Sequence, residues 1–158
     1  MEILSFFEWL DTSFLATISK AYGGTFAVIQ MFHLLGLAVM GGMVLLSDLR
    51  LLGIVMRDVP SEIVVENTNR WFTIALIVLI ATGIFMSSAV ALKLYYNEMF
   101  WGKMIGLLIG VLFVYFIKRP LLSQDHSTLK PSTIRSVAIT SIIIWFSVAA
   151  SGRWIGFS

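Results

Sequence analysis

Charged residues cut this chain into long uncharged stretches. Between Lys20 and Asp48 stand 27 residues without a charge, and between Arg70 and Lys93 stand 22. The stretch from Arg135 to Arg153 encloses 17, and that from Lys103 to Lys118 encloses 14. About 20 residues of helix cross the hydrocarbon of a bilayer, with a working range of about 17–25. Three stretches pass that test directly. The third in chain order reaches 19 residues once Met99–Lys103 is included. A lysine near a helix end can lay its stem in lipid and raise its amine to the headgroups, and Trp101 beside it suits the aromatic belt. The pattern therefore predicts an all-α polytopic membrane protein, four transmembrane helices in a bundle. The spans fall at about 22–47, 71–93, 100–118 and 135–152 of one membrane domain covering 1–158.

Residues 2–20 follow another rule. Ile3, Phe7, Leu10, Phe14 and Ile18 recur at helical spacing, with Ser5, Thr12 and Ser19 opposite. This predicts an N-terminal amphipathic helix, lying along the membrane surface or packed on the bundle. Between the first two spans, Asp58, Pro60 and Glu62 form a helix-start signal, so the second helix begins near Pro60 and projects beyond the bilayer before Trp71. Gln124–Pro131 is polar and turn-like.

Composition agrees: 58% of residues are hydrophobic and 13% charged, against about 25% charged in an ordinary soluble domain. The formal charge of +2, spread between apolar blocks, gives no footprint for nucleic acid. It speaks instead to orientation. Arg50, Arg57, Arg70, Lys118, Arg119, Lys130 and Arg135 flank one side, seven in all, against four (Lys20, Lys93, Lys103 and Arg153) on the other. By the positive-inside rule both termini lie outside, in the periplasm if this is a bacterial inner (plasma) membrane. Cysteine is absent, which excludes disulfides, thiolate metal sites and covalently attached haem. Glu2 and the lack of basic residues before Lys20 do not describe a cleaved signal peptide.

Two features inside the spans invite a function. Gly102, Gly106 and Gly110 recur every fourth residue, and Gly83, Ser87 and Ala91 make a similar strip in the second span. Such strips admit the backbone of another helix, within the protomer or in a homo-oligomer or larger membrane complex. His33 is the one imidazole within a span. An intramembrane ionisable side chain is a functional candidate because hydrocarbon penalises polar groups. It can ligate haem b or copper, with Met40 and Met43 as thioethers further along, or bond a Ser or Thr of a neighbouring helix. His126 lies in a loop on the wrong side to be a second ligand. Asp48, Arg50, Lys103, Arg153 and Trp154 read as residues of the membrane interface. Asp48 and Arg50, at i and i+2, are not an ion pair, and Arg50 reaches lipid phosphate or orders the helix ends. Every acidic residue falls outside the four uncharged stretches, which argues against proton-coupled transport, and no catalytic motif is visible.

The stretch FHLLGLAVMGGMVLLSDLRLLGI, residues 32–54, resembles the first-helix pattern of small bacterial membrane proteins related to the copper-resistance CopD type. The resemblance continues in ATGIFMSSAVA, in the Asn-x-x-Phe-x-x-Lys stretch ending at Lys103, and in SGRWIGF. It implies a non-enzymatic four-helix inner-membrane protein linked to copper handling or a membrane redox system, with His33, Asp48, Arg50, Lys103 and Arg153 at pattern positions. Where that pattern often has His-Arg at the end of the third span, this chain has Lys118-Arg119, so a two-histidine site does not carry over. The alternative expectation is an accessory or anchor subunit with no ligand of its own.

Overall fold

The computed structural model describes residues 2–122 and 129–155. Every element among them is helical. Four rods dominate: α3 (Gly23–Leu51), α4 (Ser61–Ala89), α6 with its continuation (Glu98–Leu122), and α8 (Pro131–Trp154). At 1.5 Å per residue their 24–29 residues span about 36–44 Å, more than the roughly 30 Å of bilayer hydrocarbon. Each is long and apolar enough to cross a membrane, which makes this a multi-pass membrane protein. Their outward faces carry Ile77, Phe116 and Ile143 at 60% exposure or more, a surface that suits lipid and not water.

Helix α3 packs against α4 on one side and α8 on the other, and α8 packs against α6. All four meet in one apolar core of Met40 and Val44, Phe72 to Leu79, Val114, and Trp145 with Val148. Glycine permits the α6–α8 approach. A Cβ at Gly106 would stand 3.0 Å from Val148, and one at Gly110 would stand 3.1 Å from Trp145. Gly83 instead faces His33 on α3, and nothing lies within 4 Å of Gly102. The two small-residue strips therefore do not face each other, and each serves a different neighbour. The fully buried serine of the α4 strip is Ser88, next to the expected Ser87.

The N-terminal segment is two helices, α1 (Glu2–Asp11) and α2 (Phe14–Ala21), where the periodicity predicted one. Ser13 is the cause. Its extended backbone breaks the run while its hydroxyl accepts from the Ala16 amide at 3.2 Å, a side-chain N-cap. Lys20 ties the corner by an ion pair to Asp11 at 2.9 Å. Phe7 and Leu10 are buried with Ala91 of the short helix α5 (Ala91–Tyr95), so this segment packs on the bundle. The second span ends at Ala89, short of the expected 93, because the chain turns at Val90 into α5.

The end of α3 explains part of the FHLLG…DLRLLG stretch. Gly53, at φ 73°, lies just past the helix; its amide donates to the Arg50 carbonyl, and the Ile54 amide donates to that of Leu49. That is a Schellman closure, which needs the left-handed conformation glycine adopts freely. Arg50 then folds over the turn and donates to the Val59 carbonyl at 2.6 and 2.9 Å, ordering the helix end. At the opposite end of the bundle Asn97 starts α6, its side-chain oxygen accepting from the Phe100 amide. Phe100 packs edge-on against Phe7.

Candidate functional site

Two polar groups lie within the spans, one toward each end of the bundle. The first is built on His33. Its imidazole Nδ1 is 2.8 Å from the Thr82 hydroxyl of α4. Thr82 Oγ1 also stands 2.6 Å from the Val78 carbonyl, which can only accept. A hydroxyl has one proton, so Thr82 gives it to Val78 and accepts from Nδ1–H of His33. The neutral imidazole then keeps its lone pair on Nε2. Nothing else bonds the ring among the described residues, so Nε2 is an unused donor atom in an apolar span. The ring packs against Gly83, whose Cβ position would lie in ordinary contact, 3.6 Å from His33 Cε1.

Lys103 of α6 rests on α8. Its stem lies over Gly152, whose Cβ position would stand 3.5 Å from Cε and 3.7 Å from Nζ. The contact is two residues from the end of α8. Arg153 and Trp154 are exposed at the end of α8, while Gly156 and Phe157 of SGRWIGF lie outside the described residues.

The thioethers do not join His33. Met40 and Met43 follow it by seven and ten residues, about 10 and 15 Å along the axis. Met40 is 4% exposed and packed in the central core. Met43 lines a cavity of about 10 Å³, room for about one water, toward the other end. A copper site of His33, Met40 and Met43 does not fit this arrangement. What His33 offers is a single nitrogen donor, a neutral imidazole whose other nitrogen is held by a hydrogen bond, the arrangement metal-ligating histidines usually show. Among the described residues there is no cluster of three or more His, Cys, Asp or Glu able to hold a metal. His126, with most of the Gln124–Pro131 turn, lies outside those residues.

The second group was invisible in the sequence. Asp48 is fully buried, and its Oδ1 accepts from Lys118 Nζ at 2.6 Å. Lys118 itself is 3% exposed. Both had served as boundaries of uncharged stretches, and both sit inside the long helices, Asp48 in the last turn of α3. Read as an interface residue, Asp48 faces the bundle interior. The Lys118 ammonium is committed to Asp48. Ser141 of α8 faces the same carboxylate without reaching hydrogen-bond geometry, and Asp48 Oδ2 has no partner. Beside this pair Arg119 lies over the Tyr115 ring at 4.0 Å and donates to the Asn69 carbonyl and the Thr73 hydroxyl. A π-helical stretch, Phe113–Lys118, links α6 to the short helix α7 (Arg119–Leu122). It aims Lys118 at α3 while Arg119 reaches α4. The available signal was two charges of opposite sign, each flanked by apolar residues, at the same end of the first and third spans.

One family model matches the chain, over residues 6–158, described as a family of unknown function (DUF6644). The chain matches no curated protein and no solved structure.

Proposed function

We propose, for a chain that belongs to the DUF6644 family, a role as a non-enzymatic haem b-binding protein of the bacterial inner membrane, with His33 Nε2 as the axial ligand. The observation that carries this reading is the Thr82 hydrogen bond, which fixes Nδ1–H and leaves a bare Nε2 lone pair within the hydrocarbon. A haem there would supply one-electron exchange, in keeping with a membrane redox system. The chain's own part is to present the imidazole in one tautomer, packed against Gly83. In this reading both termini are periplasmic, which the excess of basic residues near the other end supports. The exposed rings of Phe6, Trp9 and Phe14 support a headgroup-level position for α1 and α2.

The test is an absorption spectrum of protein extracted gently from its native membrane. The parent should show a Soret band, and His33→Phe should fold, reach the membrane and lose it. Phenylalanine keeps roughly the same volume while removing both nitrogens. A parent without haem refutes the proposal. One observation favours a second reading, that of an accessory subunit: a Cβ added at Gly41, Gly42 or Gly102 would meet no other part of the bundle within 4 Å. A partner helix from a larger complex or a second copy would pack there. Co-purification of a defined partner in mild detergent, lost on Gly102→Leu, would support it.

A further inference from the structure

Lys118 holds protons that Asp48 does not take. The ammonium carries three, and Asp48 Oδ1 accepts one of them at 2.6 Å. Lys118 is 3% exposed, so bulk solvent does not reach the other two. Ser47, one residue before Asp48 and likewise buried, has a hydroxyl with no partner among the described residues. A helical serine can return its proton to the carbonyl four residues back, as Ser147 and Ser151 do. Ser47 does not. Lys118 and Ser47 both line the cavity of about 10 Å³ between α3, α4 and the π-helical stretch. Two acceptors come from α4. Thr68 lines the cavity and gives its own proton to the carbonyl of Val64 or Val65, so its oxygen stays open. Asn69 lines it as well and brings an amide oxygen.

We propose that this cavity is a binding site for a single water molecule, the third member of the Asp48–Lys118 pair. Room and chemistry agree, since a water needs about 10–15 Å³ and two to four polar partners. It accepts from Lys118 Nζ and Ser47 Oγ, and it donates to Thr68 Oγ1 and the Asn69 amide oxygen. Two donors and two acceptors are the complement of one water. A metal cation is the poorer fit, because the ammonium already stands at the wall. The water ties α3, α4 and the third rod together at the level where the π-helical stretch aims Lys118. It also meets protons left over beside a buried charge, the condition on which such a pair is tolerated. The site lies toward the other end of the bundle from His33 and does not depend on the haem reading.

The experiment is hydroxyl-radical labelling of the full-length chain in lipid nanodiscs, by brief X-ray irradiation followed by mass spectrometry. Radicals born from a bound water attack the side chains that touch it, and methionine oxidises readily. Met43 lines the cavity, while Met40 is packed in the core and serves as the internal control. Met43 should be oxidised much faster than Met40. Ser47→Val fills the space and removes a donor, so it should bring Met43 down to the rate of Met40. Ser47→Ala removes the donor without adding volume and should leave an intermediate rate. Thermal unfolding identifies a valine variant that fails to fold, in which case the alanine variant decides. Equal rates at Met43 and Met40 in the parent overturn the proposal. So does a Met43 rate unchanged in both serine variants, because the radicals then come from the bilayer side and not from the cavity.

Discussion

The Asp48–Lys118 pair sets a sharp demand on stability. At a separation of 2.6 Å and an effective dielectric of about 20, Coulomb attraction is about 6 kcal/mol. Withdrawing each ion from water costs several kcal/mol, so the pair as a whole contributes little net stability. Breaking it is another matter. Lys118→Met leaves a carboxylate with no cation in a site that is fully buried, and Asp48→Leu strands the ammonium. Each single change should cost about 3–5 kcal/mol, whereas the double replacement by apolar residues should lie near the parent or above it. The cycle can be read by reversible unfolding in mixed micelles, with helicity and a tertiary probe followed together. A coupling energy above about 2 kcal/mol is expected, since the two side chains touch directly. If the double variant loses the sum of the two single losses, the groups do not depend on each other. If both single variants unfold with the parent, the pair is not sealed from water.

The orientation should be visible in fusions: alkaline phosphatase at the C-terminus active, and the same enzyme inserted within 124–131 silent. Gly106→Leu and Gly110→Leu should each lower stability by about 1–3 kcal/mol, because the new side chains meet Val148 and Trp145, while Gly102→Leu should unfold like the parent. Thr82→Val should cost about 0.5–2 kcal/mol and weaken haem binding about tenfold or more without shifting the Soret band, since the imidazole loses the acceptor that orients it. Met40→Leu and Met43→Leu should leave that band unmoved, and a lost or shifted band in either would return a thioether to the site.

How much of this was legible depended on whether the signal was local. Hydropathy is local, so all four long helices stood out. The glycines at 106 and 110 were equally plain, because close helix approach leaves a spacing behind it. Chain length hides partnerships. His33 could be flagged from its own surroundings, but Thr82 lies 49 residues away and could not be joined to it. Asp48 and Lys118, 70 residues apart, were lost through the same rule that found the spans. Treating every charge as the end of a span cannot represent two charges that enter together and cancel. The break at Ser13 was readable, since Thr-Ser before an apolar run is a cap signal, but the longer periodicity overrode it.

The π-helical stretch at Phe113–Lys118 has a consequence for how such a protein can change. A π turn accommodates one residue more than the α turn it replaces, so everything downstream is advanced by one position around the rod. Successive residues of an α-helix are about 100° apart, so an α turn through the present sequence would carry Lys118 about 100° round the rod and off Asp48. Removing one residue between 113 and 118 would let the turn close as α-helix with Lys118 still facing Asp48. Sequence length in that one turn, as well as sequence identity, decides whether the buried carboxylate keeps its cation.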